Sequence, residues 1–197
     1  MNKIKKYQIL FSSCILSLLF SFTLQQEVES YYVYSDYFKH GIPSGFMGEK
    51  DGKSMKIDIN CKENPFKGEN CMKITTDNSE AWRGLHIQFT GAWNVSLRAD
   101  QKLPDLSTYE KLEFYARADE SESGPYILPE IGVGGGGSDL SEEKINETFL
   151  EIGPEWKKYS INIKGADLAR VNTLVYMVLP TGTIYFDEIR FIKKIKN

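Results

Sequence analysis

The sequence predicts an all-β fold, a single domain assembled from many short strands. Three observations carry that expectation. Apolar and polar residues alternate over short stretches from Tyr31 to Ile192, clusters of Gly, Pro, Asp and Ser separate those stretches, and no long helical periodicity follows residue 25. Many short strands between such turns make a sandwich or a barrel. The composition agrees, with 41% hydrophobic, 13% aromatic and 26% charged residues in a chain of 197. That is globular composition, too rich in apolar and aromatic material for a disordered chain. No internal repeat and no linker divides the chain, and after the first 25 residues about 170 remain, enough to bury one core between two sheets.

The N-terminal residues belong to another physical class. Lys3, Lys5 and Lys6 precede the apolar run from Ile9 to Phe22. A run of about 14 residues has the length of a signal-peptide core and falls short of the roughly 20 that cross a bilayer as a helix. Residues 1–25 are expected to be a signal peptide. A retained N-terminal anchor is the alternative, because no small-x-small cleavage site is clear between Phe22 and Glu27. Cys14 invites a lipidated reading, but more of the apolar run follows it. Residues 26–197 form the domain, expected to be secreted, periplasmic or at the cell surface, with membrane contact only if the first segment is retained.

The elements then follow in order. Tyr31 to Tyr34 opens as a strand, and Gly41 to Gly45 carries turn chemistry. Ser54 to Ile59 alternates strictly, with Met55, Ile57 and Ile59 on one face, and Cys71 to Thr75 alternates again. Between them Lys62 to Asn70, holding Pro65 and Gly68, reads as a loop. Cys61 and Cys71 flank it ten residues apart, and in an oxidising compartment such a pair reads as a disulfide. Half a zinc site is the alternative, but His40 and His86 are the only histidines and neither has ligand spacing to the pair.

Trp82 to Phe89 is a strand with Leu85, Ile87 and Phe89 on one side and Trp82, Gly84, His86 and Gln88 on the other. Lys111 to Ala118 places Leu112, Phe114, Ala116 and Ala118 inward, opposite Glu113, Tyr115 and Arg117. Tyr126 to Val133 places Ile127, Ile131 and Val133 on one face and Tyr126, Leu128, Glu130 and Gly132 on the other. Leu140 to Phe149 offers one or two helical turns with Ser141 as N-cap. Trp156 to Ile163, Thr173 to Leu179 and Thr183 to Ile192 complete eight to ten strands, with Trp156 expected to pack in the core or seal its edge.

Charge and motifs exclude several function classes. With 24 basic and 27 acidic side chains the net charge is −3, which gives nucleic acid or an anionic membrane surface nothing to hold. The run Gly132 to Gly137, broken only by Val133, is followed by Ser138-Asp139-Leu140, so it lacks the Gly-Lys-Ser/Thr of a phosphate loop and the βαβ setting of a dinucleotide site. It reads as a flexible loop, or as a place where backbone approaches a ligand closely. No nucleophile elbow or triad stands out. The one carboxylate pair that suits a glycan hydrolase is Glu113 with Glu130.

The suggestive constellation is aromatic. Trp82, Tyr115 and Tyr126 lie opposite the apolar stripes, among His86, Gln88, Arg117 and Glu130. An aromatic face flanked by hydrogen-bonding groups is what a sugar ring needs. The alternative is that loops cover Trp82 and Tyr115. Asp187 is the odd carboxylate of an apolar strand, costly there unless paired or bound to metal. Calcium suits an exported setting, with Asp36 and Glu69 as partners, and an ordinary turn or edge carboxylate is the alternative. Asn94-Val95-Ser96 and Asn146-Glu147-Thr148 are glycosylation sequons where the host performs that chemistry.

At this point a resemblance enters. Trp156 to Ile163, Ala166 to Val171 and Gly182 to Ile189 resemble the closing strands of galactose-binding-like jelly rolls, among which carbohydrate-binding modules are the best known. Leu112-Glu113-Phe114-Tyr115-Ala116-Arg117-Ala118 is similar to their middle strand. Ile42 to Gly48 and Asn64 to Cys71 resemble segments of uncharacterised secreted proteins of this architecture. The likeness runs from Tyr32 to Phe191. It implies a two-sheet jelly roll, a structural calcium near Asp187, and contacts to a polysaccharide or glycoconjugate glycan on the concave sheet or edge loops. Ala81 to Phe89 keeps the aromatic that relatives place there and lacks their second one near His86. The expected function is a secreted, non-catalytic carbohydrate-binding module, with Trp82 and Tyr126 stacking on a pyranose and Glu130, Arg117 and Gln88 as polar contacts. A structural or protein-interaction module at the cell surface, and a small glycan-active hydrolase, are the alternatives. Fold alone does not decide among them.

Overall fold

Strand alternation organises the chain into two antiparallel sheets packed face to face. The computed structural model describes residues 28–48, 52–89, 102–119, 125–135 and 143–195. Glu29–Lys193 forms one compact unit. The segment expected to direct export, Cys14, Asn94 and the end of the glycine run fall outside the described residues.

Twelve strands are present: β1 (Val28–Ser35), β2 (Tyr37–Phe38), β3 (Ile42–Met47), β4 (Met55–Cys61), β5 (Cys71–Thr76), β6 (Arg83–Gln88), β7 (Lys111–Ala118), β8 (Tyr126–Val133), β9 (Ile145–Ile152), β10 (Lys157–Asn162), β11 (Thr173–Leu179) and β12 (Gly182–Lys194). One sheet runs β10-β7-β12-β1-β2, with β5 also paired to β12 and β4 to β5. The other runs β3-β6-β11-β8-β9. Sequence neighbours repeatedly lie in different sheets, as in a jelly roll. The inner faces meet through Leu85 and Ile87 of β6, Leu112, Phe114 and Ala116 of β7, and Met177 and Leu179 of β11, all at most 1% exposed. Ile184, Phe186 and Phe191 of β12 join the same core. Each such side chain contributes roughly 1.5–3 kcal/mol when removed from water.

Three local expectations are corrected. Ile42–Met47 is an edge strand rather than a turn, and a bulge between Pro43 and Gly45 accommodates the proline. An edge tolerates proline because the missing N–H would face no partner strand. The segment from Ile145 to Ile152 is a strand, not a helical turn. It pairs along β8 from Ile145↔Val133 to Ile152↔Tyr126, a tertiary pairing that outweighs its weak helical pattern. In β8 the inward set is Tyr126, Leu128, Ile131 and Val133. Alternation switches phase across Pro129, which turns Ile127 outward and Tyr126 into the core.

Candidate functional site

The outer face of the five-stranded sheet carries two adjacent rows of side chains. Register places Gly45, His86, Tyr176, Gly132 and Asn146 opposite one another across β3, β6, β11, β8 and β9. The next row is Met47, Gly84, Val178, Glu130 and Thr148. Directly paired residues share a face, and neighbours close over the glycines that interrupt both rows, the Met47 side chain over Gly84 and the β9 backbone over Gly132. A Cβ on Gly132 would overlap the Ile145 carbonyl oxygen and stand 2.9 Å from Asn146 Cα, so this position admits only glycine without movement of β9.

A recess of about 110 Å³ opens there, lined by Met47, His86, Glu130, Gly134, Gly135, Lys144, Tyr176 and Val178. Gly134 and Gly135 form its rim with φ of +75° and +69°, a backbone that side chains rarely adopt. The Lys144 stem packs directly against Gly135. The glycine run therefore begins as a bare backbone edge of the recess.

Polar groups converge on one carboxylate oxygen. Glu130 Oε1 accepts from Tyr176 Oη at 2.8 Å, from Asn146 Nδ2 at 2.7 Å and from Lys144 Nζ at 2.7 Å. Burial works against ionisation of Glu130, and the bonds from Lys144, Tyr176 and Asn146 outweigh it, holding the carboxyl below its ordinary pKa. Burial, reinforced by the Glu130 bond, pushes the Tyr176 hydroxyl upward. The His86 ring stacks on Tyr176 with centroids 5.7 Å apart, and its Nε2 lies 3.3 Å from Met47 Sδ. Burial, with Lys144 nearby, lowers the imidazole pKa to about 4, so the ring is neutral at pH 7.

The seven residues expected to line one face occupy four places. His86, Gln88 and Glu130 share the outer face of the five-stranded sheet. Trp82 stands one residue beyond β6, 49% exposed. Gln88 is buried, accepts from Ser44 Oγ at 3.0 Å, and its Nε2 has no partner among the described residues. Tyr126 points into the core and donates to Pro180 O, which removes it from any stacking role. Tyr115 and Arg117 lie on the other sheet, under residues 62–70. Phe66 stacks on Tyr115 at 3.6 Å, Trp156 meets Phe66 edge-on and donates Nε1–H to Asn64 O, and Arg117 donates to Glu63 O at 2.7 Å. The Arg117 guanidinium also sits 3.7 Å over the Tyr185 ring. That face is closed by the chain's own loop, the alternative weighed for Tyr115. Trp156 seals the surface at Cys61, Cys71 and Tyr185 rather than entering the main core.

The carboxylates read as calcium ligands hold the same loop. Asp187 is fully buried and accepts from the backbone N–H of Lys67 at 3.0 Å and of Glu188 at 2.7 Å. Asp36 Oδ1 accepts from the N–H groups of Glu69 and Asn70 at 2.6 and 3.0 Å. Glu69 contributes its backbone N–H to this contact. Glu188 takes the Lys67 ammonium at 3.1 Å. Donors fill these oxygens, and among the described residues no group of three or more His, Cys, Asp or Glu converges to hold a metal. As placed, Asp36, Glu69 and Asp187 do not fit a calcium ligand set. Cys61 and Cys71 are cross-strand partners and both are free, buried thiols. Glu113 lies with Lys158 and Arg190 on the seven-stranded sheet, so it and Glu130 occupy opposite outer faces and form no hydrolytic pair.

Tyr176, Lys144 and Met47 were not legible as site residues. Tyr176 is the one ring in the strongly apolar strand from Thr173 to Leu179, which was the available signal. Lys144 lay in a segment read as helical turns, and Met47 just past one read as a turn.

The fold is a two-sheet antiparallel β-sandwich, similar to those of carbohydrate-binding modules. Among solved structures, a family 30 carbohydrate-binding module of a cellulosomal cellulase of Clostridium thermocellum is similar over 86% of this chain and 99% of its own, with a TM-score of 0.55 and 15% identity. BiXyn10A CBM1 in its apo form is similar over 84% and 97%, with a TM-score of 0.52 and 18% identity. A further family 30 module gives 0.52 and 14% over 85% and 99%. At such identities the likeness establishes the fold. No protein-family model and no curated sequence matches the chain.

Proposed function

We propose that this chain is an exported, non-catalytic carbohydrate-binding module whose ligand docks on the outer face of the five-stranded sheet. The observation that carries the reading is the recess at Glu130. Three donors meet on Oε1, Oε2 has no partner among the described residues, and Glu130 and Lys144 line the same recess. A charged acceptor beside a charged donor, with Met47 and Val178 as apolar wall, supplies what a ring of hydroxyls on a C–H frame requires. The solved neighbours, named as carbohydrate-binding modules, support the class.

Exposed Trp82 adds an aromatic surface beyond β6. Residues 1–25 direct export, residues 26–197 bind, and export to an oxidising compartment would join Cys61 to Cys71, already opposite one another in register. A glycan array followed by calorimetry on residues 26–197 tests the function. Binding to at least one glycan, weakened at least tenfold in Glu130→Gln with unchanged melting, is expected. Silence across the array would remove the proposal.

A further inference from the structure

The site on the five-stranded sheet differs from a polysaccharide groove in size and in charge, and both differences bear on what it takes. Ligand pockets for drug-sized molecules run from about 300 to 1,000 Å³. The recess here holds about 110 Å³, with Met47 on β3 at one side and Lys144, just before β9, at the other. Its one six-membered aromatic ring, Tyr176, is 2% exposed, beneath the Lys144 ammonium 4.9 Å from the ring centroid. Tyr176 therefore offers no open platform on which successive sugar rings could stack. Trp82 is exposed, but it lies four residues along from His86, roughly 13 Å of strand, farther than one ring reaches.

The charges inside the recess cancel. Lys144 is positive, Glu130 negative and His86 neutral, and among the described residues no other charged side chain lines the recess. Glu130 Oε2 is an acceptor with no protein donor among the described residues. Lys144 spends one of its three N–H donors on Oε1, and its side chain is 53% exposed. An anionic ligand would bring a second carboxylate against Glu130. An uncharged ligand with two adjacent hydroxyls can donate to Oε2 and accept from Lys144 together, replacing the water that both ions hold.

Building on the glycan reading, we propose that the recess binds one uncharged sugar unit, presented at a chain end or free, by clamping a vicinal diol between Glu130 Oε2 and Lys144 Nζ. Specificity then resides in the diol of a single ring, and further units of a chain lie in solvent.

The test is calorimetric titration of residues 26–197 with methyl glycosides of glucose, galactose, mannose and xylose, with their β-linked tetraoses, and with methyl glucuronide. Expected is one methyl glycoside binding within about threefold of its tetraose, a uronate at least tenfold weaker than its neutral counterpart, and a tenfold or greater loss in Lys144→Met. That lysine side chain is half exposed, so its replacement leaves the fold intact, and a melting curve checks this. Affinity that climbs more than tenfold from monosaccharide to tetraose overturns the single-unit inference and leaves the glycan-binding function standing. Preference for the uronate overturns the charge argument. Absence of binding to every sugar removes the function and the inference together.

Discussion

Gly132→Ala places a methyl group where the structure has no room. On β8, the new Cβ would overlap the Ile145 carbonyl oxygen and approach Asn146 Cα to 2.9 Å. Both obstacles are backbone, so relief requires β9 to move away from β8. Overpacking of this kind costs about 1–3 kcal/mol. For a domain of this size, each kcal/mol lowers the melting temperature by about 2–4 °C, so the variant is expected to melt about 2–12 °C below the wild type. Displacing β9 also carries Asn146 away from Glu130, so glycan affinity is expected to fall along with stability. Gly153→Ala is the matched control, because a Cβ there meets nothing within 4 Å. Its stability is expected to stay level or rise by up to about 1 kcal/mol through the lost freedom of the unfolded chain. Urea unfolding of the three proteins reads both numbers. A Gly132→Ala protein within 0.5 kcal/mol of wild type, on the scale of ordinary surface substitutions, would refute the close β8–β9 approach and the site geometry built on it.

Other expectations follow from the core and the buried titratable groups. Phe114→Ala empties a position 1% exposed between Phe186 and Tyr159 and is expected to cost about 3–5 kcal/mol in the same assay. Burial raises the Asp187 carboxyl to about 6, against the bonds from Lys67 and Glu188 that lower it. Because the folded value lies above the unfolded one, its contribution to stability is present below pH 4 and lost as pH rises through 6, by up to about 3 kcal/mol. Wild type is therefore expected to weaken relative to Asp187→Asn between pH 4 and 7, and a difference that stays flat would contradict this. Burial, with Cys61 adjacent, pushes the Cys71 thiol up to about 12, so the reduced native protein is expected to react with a thiol reagent far more slowly than the unfolded chain. Fast native labelling would show Cys71 to be open to solvent.

Much of the fold was legible because strand alternation is a local signal. Leu112, Phe114, Ala116 and Ala118 all face inward, as their spacing requires, and so do Leu85 and Ile87. Alternation failed where a proline altered it. At Pro129 the phase of β8 switched, carrying Tyr126 into the core, and at Pro43 an edge strand looked like a turn. The site was less legible because it depends on which sheet each strand joins. Tyr115, Arg117 and Glu130 all face outward, yet β7 and β8 lie in different sheets, so these residues look in opposite directions. Asp187 was legible as an anomaly, but its hydrogen bond from the Lys67 N–H depends on a loop 120 residues away in sequence.

The most direct measurement for the central claim is an NMR titration of isotope-labelled residues 26–197 with the glycan selected from the array. The account predicts shifts confined to the face that holds His86, Glu130, Lys144 and Tyr176, with Trp82 as the outer limit. Shifts centred instead on Phe66, Tyr115 and Trp156, or none with any glycan, would contradict it.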